Sequence, residues 1–506
     1  MVSIRRNVIA NYAGRLWSAA LGLAFPPLFL RMLGAEAYGL IGFYSSLIAV
    51  LGVLDLGLGT TLQRRLAILS AERSPSSAQQ MNDVTRTFEI LFWGVGAAAG
   101  LSVVMLAPII TRRWIHIDRL PVATVVDAIR VMGLIFAMQW PASLYNGALL
   151  GLQRQVEFNA LYVVVGTLRS VGAALVLWKV TATIGAFFGW QVLTTALTTT
   201  SAAWIVRRAL PVARAPRFRM DELRGTWRFS LGLWAISILA IGLTQIDKLT
   251  VSRLLPLADL GYYTLASSAG TAVLLLIGPV FSALFPRFCQ LVGSRDEVDL
   301  RALYHRGCQM VSVVLLPVAT VLSMFSREVM TAWTGNVVVV DRTWAAVTAL
   351  TIGSACNAIV NLPYALQLAY GWTRLTLWTN VVAIVALLPL VWMLGSRYGL
   401  SGVAIGWAAL NVGYVAIIIP LMHRRLLRGE ARRWAVRDVG LPLLGALVPA
   451  VPLRLVAPIV TGRLQCLGVV VLSLLVAALG AVLAAEETRR PVVNFVSAGW
   501  RKSNAA

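Results

Sequence analysis

The chain has 506 residues, 58% of them hydrophobic and only 13% charged, at a mean hydropathy of +0.77. Soluble chains carry about a quarter charged residues, so a water-soluble multidomain enzyme is excluded. The formal charge of +23 comes from 44 basic and 21 acidic residues. It does not indicate nucleic-acid binding, because the basic residues sit in short connections between apolar runs, where the positive-inside rule places them.

Apolar runs of about 20 residues, the length that crosses a bilayer, recur along the whole chain. Residues 1–7 form a short basic start. The run that follows is too long, and too closely continued by a second, for a cleaved signal peptide. Fourteen spans are predicted, near 8–30, 39–62, 88–110, 123–149, 157–178, 183–206, 229–252, 262–286, 308–332, 344–369, 375–395, 400–422, 439–458 and 465–485. An even number puts both termini on one side. Of the 44 basic residues, 29 fall in connections assigned to the cytoplasm and 11 in or beside those assigned outside. The remaining four, Arg15, Arg130, Arg169 and Lys248, fall within spans. That bias predicts two cytoplasmic termini.

The longest connections are Ala71–Thr87, Arg207–Arg228 and Arg287–Gly307. None has room for the large external loop, with paired acidic or histidine residues, that a membrane glycan polymerase or transferase carries. Transport fits such a bundle better than catalysis. Four scattered cysteines and three scattered histidines define no disulfide framework or metal site. No Gly-Lys pair exists, so there is no Walker A loop.

An internal duplication is visible at a shift of 222 residues. Arg31, after span 1, maps to Arg253, after span 7, and Pro141 in span 4 maps to Pro363 in span 10. The expected architecture is therefore an all-α polytopic membrane protein with about 14 transmembrane helices, arranged as two six-helix lobes around a central cavity plus two C-terminal helices. The N-lobe is residues 1–210, a cytoplasmic linker 211–228, the C-lobe 229–424, helices 13 and 14 residues 439–485, and a cytoplasmic tail 486–506. Pro26-Pro27, Pro141, Pro279, Pro317, Pro363 and Pro389 fall within spans and predict broken or kinked helices.

A charge deep in the bilayer costs at least about 2.5 kcal/mol, so each one needs a partner or a wet cavity. Arg169 is the deepest, on one face of span 5 with Tyr162, Gly166 and Ala173. Asn11 and Arg15 share a polar stripe in span 1. Asp127 and Arg130 stand three residues apart in span 4, close enough to pair locally. Asp247 and Lys248 lie in span 7, and Asn357 and Asn361 in span 10. Facing a shared cavity, the arginines would select a phosphate-bearing substrate through their planar multi-donor forks. Asp247 would then be a site for a coupling ion. The alternative for Arg15, Arg130 and Lys248 is snorkelling to the nearer membrane face. Asp55, in the Asp55-Leu-Gly57-Leu-Gly59 stretch, and the GAAAG of Gly96–Gly100 read as close-packing elements.

The stretch from Asn11 to Leu66, with FLRMLGAEAYGL followed by VLDLGLGTTLQRRLA, resembles the opening of Wzx-type polysaccharide flippases. So do Gln245-Ile-Asp247-Lys248 leading into ADLGYYTLA, and Leu362-Pro-Tyr-Ala-Leu-Gln367. These flippases belong to the multidrug/oligosaccharidyl-lipid/polysaccharide exporter superfamily, which includes the MATE-type exporters. The resemblance implies transfer of an undecaprenyl-diphosphate-linked oligosaccharide from the inner to the outer leaflet of the bacterial inner membrane. Alternating access would move it for O-antigen, capsule or exopolysaccharide assembly, alongside a polymerase and a chain-length regulator. No cofactor is implied beyond a proton or sodium gradient. Arg15, Arg130 and Arg169, with Asn11, Asn357 and Asn361, would line the substrate cavity, and Asp247 and Lys248 would serve ion coupling. The alternatives are a lipid II flippase, a multidrug or cation antiporter, whose cavity would need acidic residues, and a membrane glycan polymerase.

Overall fold

A bilayer offers no hydrogen-bond partner to an open backbone, so runs this apolar must close their hydrogen bonds within helices. The computed structural model describes residues 4–55, 57–72, 74–211, 214–221, 227–457 and 460–487, and all regular structure among them is helical. Within the expected tail, residues 488–506 lie outside the described residues, as do 212–213 and 222–226 of the expected linker.

The chain divides into two compact units, residues 1–261 and 262–506. In the first, Pro26 and Pro27 split span 1 into α1 (Ile4–Ala24) and α2 (Pro26–Leu33). Gly34, at φ 83°, starts α3 (Ala35–Leu51). A 3₁₀ turn, Gly52–Asp55, leads to α4 (Leu58–Glu72), and the Asp55 carboxylate accepts the Gly59 N–H at 3.4 Å. Asp55 thus caps a helix start. The next helix, α5 (Pro75–Arg113), runs 39 residues and extends span 3 well back into the connection before it. Its early start follows from Ser74, whose hydroxyl accepts the Ser77 N–H at 3.0 Å, with Pro75 preset for the first turn. The unit is completed by α6 (Val122–Gly151), α7 (Gln155–Lys179), α8 (Ile184–Ala209) and α9 (Trp227–Leu254). Its core packs Phe88, Phe92, Phe136, Trp140 and Tyr145 together.

The helix α10 (Leu257–Gly270) follows, and after a 3₁₀ segment the second unit continues with α11 (Ile277–Ser294), α12 (Glu297–Met324), α13 (Ser326–Thr334), α14 (Val337–Ala369) and α15 (Arg374–Gly413). A π turn at Tyr414–Ile418 joins α16 (Ile419–Arg425), and a second at Trp434–Gly440 precedes α17 (Leu441–Val456) and α18 (Arg463–Ala484).

Eleven described stretches are long and apolar enough to cross a membrane. One of them, Arg374–Arg425, bends at Gly399, φ 60°, and spans sequence runs 11 and 12. The helix α8 falls short of that apolarity because its inner face carries Gln191, Thr194, Thr195, Thr198 and Thr199, all buried. The side chains of α9 before residue 238 lie outside the described ones. Fourteen spans is therefore an approximate count for this all-α membrane fold.

Packing bears on the 222-residue shift. The helices α3 and α10 begin at Ala35 and Leu257, which are equivalent under it, and Gly39 is equivalent to Gly261. A Cβ on Gly39 would collide with the Leu257 carbonyl, and one on Gly261 with the Ala35 carbonyl. The two collisions are mutual, each glycine facing the carbonyl at the start of the other helix. The GAAAG segment packs in the same way: a Cβ on Gly100 would lie 2.6 Å from the Gly133 carbonyl of α6, and one on Gly133 2.7 Å from the Gly100 carbonyl.

Connections assigned to one membrane side also meet. Glu36 accepts the backbone N–H groups of Asp118, Arg119 and Leu120 at 2.8 to 3.1 Å, and Leu257 donates to the His116 carbonyl at 2.9 Å. All three connections carry the outside assignment. At the opposite assignment, Arg217 and Arg219 of the linker donate from their backbone to Asp83 and Thr87 on the α5 extension.

Candidate functional site

Three helices of the first unit, α6, α7 and α8, enclose a polar cavity of about 70 Å³ lined by Gln139, Tyr162, Arg169, Thr195, Thr198 and Thr199. The α7 face read from sequence delivers Tyr162, Gly166 and Arg169 to it, since three and four residues bring side chains to one side of a helix. The threonines serve helix packing as well as polarity. Thr198 donates to the Thr194 carbonyl at 2.7 Å and Thr199 to the Met138 carbonyl at 2.8 Å. Around the cavity, Tyr44 donates to Gln139 at 3.1 Å and Asn146 to Tyr162 at 2.5 Å.

Arg169 is the one charged side chain among the described residues that line the cavity. Its Nη2 donates to the Thr195 hydroxyl at 3.3 Å, and its Nε is buried without a hydrogen-bond partner. No carboxylate among the described residues pairs with it. A guanidinium in this position has spare donors and uncancelled charge, the combination that binds an anion. The cavity has room for a few waters or one phosphoryl group.

The other sequence-predicted residues fall as follows. Arg15 is exposed on α1, which packs against α7 through a 2.7 Å hydrogen bond from Trp17 to Thr167. The side chain of Asn11 lies outside the described ones. Arg130 pairs with Asp127 at 3.1 Å, the two side chains being 51% and 69% exposed. Nine residues separate Arg130 from Gln139, half a turn out of phase, so Arg130 stands on the opposite side of α6 from Gln139. Asp247 is 8% exposed on α9 and engaged in interactions there, with Lys248 half-buried beside it. Asn357 and Asn361 belong to the second unit. Asn357 donates to Asn411 at 2.9 Å, joining α14 to α15, and Asn361 to the Asn357 carbonyl at 3.5 Å.

Two clusters escape a sequence reading. Glu89, near the start of the membrane part of α5, is gripped by Arg86 at 2.8 Å, Arg207 at 3.0 Å and the Tyr145 hydroxyl at 2.5 Å. An acid inside the apolar FEILFW run was its one visible signal. In the second unit, His305 is 3% exposed between Asp438 at 2.5 Å and Glu430 at 3.2 Å, and Tyr304 beside it bonds His423 at 3.2 Å. Two of the three histidines that look scattered along the chain are thus brought to one place. The π turn at Trp434–Gly440 carries Asp438 into this cluster, and wide turns of this kind recur where a helix must redirect a side chain for function. Glu487 bonds Gln309 from its backbone at 2.8 Å and Arg306 from its carboxylate at 3.3 Å, so the start of the tail shares this end of the unit.

Comparisons with known proteins follow the same line. A family described as "Polysaccharide biosynthesis protein" matches residues 28–337. A Shigella flexneri protein whose name assigns it to O-antigen transport is 21% identical over 436 residues, covering 84% of this chain and 99% of the relative. Among solved structures, the lipid II flippase MurJ in an inward closed conformation matches with a TM-score of 0.68 at 11% identity, covering 96% of this chain and 99% of its own. An inward-facing MATE multidrug transporter of the MOP superfamily matches at 0.64 and 16% identity, covering 81% of this chain and 96% of its own. At such identities these two likenesses establish the fold.

Proposed function

The chain belongs to the polysaccharide biosynthesis protein family, and from that premise we propose that it is a Wzx-type flippase, moving lipid-linked oligosaccharide repeat units across the bacterial cytoplasmic membrane. The substrate in this reading is an undecaprenyl-diphosphate-linked oligosaccharide destined for O-antigen, capsule or exopolysaccharide. A polymerase and a chain-length regulator act after it. The relatives and structural neighbours are transporters and flippases, in keeping with transport rather than catalysis.

Arg169 carries the reading at the level of residues. Its free Nε and uncancelled charge suit one phosphoryl group of the diphosphate. The glycan would cross in water and the polyprenyl tail would stay in the bilayer. Transport would follow alternating access, with Asp247, a buried carboxylate in α9, as the site of a coupling proton or sodium ion. A cationic drug would be repelled by Arg169, which argues against the multidrug branch despite the shared fold. The second reading is a lipid II flippase, favoured by a fold match that spans 96% of the chain against 81% for the MATE structure.

The test is the sidedness of lipid-linked repeat units in a strain lacking the gene. Loss of surface glycan with intact repeat units confined to the cytoplasmic leaflet is the expected result. Repeat units exposed outside but unpolymerised would overturn the reading in favour of a later step. Normal surface glycan with lipid II trapped inside would select the second reading.

A further inference from the structure

The last two turns of α8 carry Trp204, Arg207 and Arg208, and a groove opens on either side of Trp204. Toward α7 lies one of about 520 Å³, walled by Leu161, Val164 and Ile205, with Arg154 and Arg208 at its mouth. Toward α5 and α6 lies one of about 380 Å³, walled by Trp93, Tyr145 and Ala203, with Arg86 and Arg207 at its mouth. Trp204 lines both and is 55% exposed.

The four mouth arginines face two carboxylates. Arg154 pairs with Glu157 at 2.8 Å, and Arg86 and Arg207 share Glu89 at 2.8 and 3.0 Å. Arg208 instead stacks its guanidinium 4.0 Å over the Trp204 ring, with no carboxylate partner among the described residues. The site therefore carries a surplus of two positive charges at the end of span 6 that the charge bias assigns to the cytoplasmic face, where tryptophans are commonly enriched. Basic pockets between helices at this depth recognise anionic headgroups.

We propose that this face of α8 is a binding site for one anionic diacyl phospholipid of the adjoining leaflet. Its headgroup phosphate lies on Arg207 and Arg208, and its two acyl chains straddle Trp204, one in each groove. Two grooves divided by one side chain match two chains, whereas a single-chain prenyl carrier would fill one and leave the other empty. The chains gain little by leaving bulk lipid, which is equally apolar. Selectivity therefore rests on charge, at roughly 1 kcal/mol per interfacial arginine. The site shares only Thr199 with the Arg169 cavity, and its test involves no glycan, so its failure would leave the transport reading untouched.

The full chain is reconstituted in nanodiscs of equimolar phosphatidylglycerol and phosphatidylcholine, released, and its retained lipid counted by native mass spectrometry. Wild type is expected to prefer phosphatidylglycerol by about 30-fold, from two surplus charges at about 1.4 kcal/mol per tenfold. Arg208→Gln breaks no ion pair and is expected to cut that preference about 5-fold, while Arg208→Lys retains it. High salt is expected to weaken the preference in the unaltered protein, a readout that depends on no variant folding. Equal retention of the two lipids by wild type would overturn the proposal. So would an unchanged preference in Arg208→Gln, or displacement of phosphatidylglycerol by one equivalent of undecaprenyl phosphate.

Discussion

Replacing Arg169 by Gln should abolish transport while leaving the protein as stable as before, or more so. The reasoning runs through the cavity. Among the described residues the guanidinium makes one hydrogen bond, 3.3 Å long, and its Nε is buried without a partner. A neutral Gln avoids a membrane charge that costs at least about 2.5 kcal/mol and can still bond Thr195. With substrate bound, the loss is the Nε donor and at least one more, each worth roughly 1.5–3 kcal/mol when both partners are charged. The lower bound of about 3 kcal/mol is a loss of roughly 150-fold in affinity for the diphosphate. Arg169→Lys keeps the charge but not the fork, and should lose about one such bond, roughly 10-fold. The assay is complementation of the gene deletion, read as surface glycan at matched membrane protein level, with melting of the purified protein in detergent alongside. Wild-type glycan from Arg169→Gln would refute the reasoning. So would a clear fall in melting temperature, which would make Arg169 a structural residue.

Gly39→Ala places a methyl group against the Leu257 carbonyl and should cost about 1–3 kcal/mol through overpacking, seen as a lower melting temperature in detergent. Because Gly261→Ala strains the same crossing, the double variant should cost less than the sum of the two, and strict additivity would count against a shared contact. His305→Ala strips Asp438 and Glu430 of the partner between them and should destabilise the second unit by about 3–5 kcal/mol. Faster limited proteolysis within the 423–438 connection would report it, and an unchanged digestion pattern would contradict it. Asp247→Asn should leave melting near wild type but remove the dependence of transport on an imposed proton or sodium gradient in proteoliposomes. Gradient-dependent transport by that variant would exclude the coupling role.

Much of the architecture is legible in one dimension because the requirement that makes a membrane helix is local. Each apolar run must satisfy its own backbone, so spans follow from hydropathy and the break in the first span from Pro26-Pro27. The duplication is legible for a related reason, since Arg31 and Arg253 keep register across 222 residues. What the chain cannot announce locally is which helices become neighbours. Helical periodicity puts Arg169 on a face with Tyr162 and Gly166, yet only the approach of α6 and α8 surrounds that face with Gln139 and three threonines. The same periodicity puts Arg130 half a turn from Gln139 on α6, and the structure adds that it is paired with Asp127. Glu89 and Arg207 stand 118 residues apart in sequence, and His305 and Asp438 133 apart. Such pairs form because a charged or titratable group removed from water takes whatever partner the adjoining helix offers, and that neighbour is decided only when the bundle has assembled.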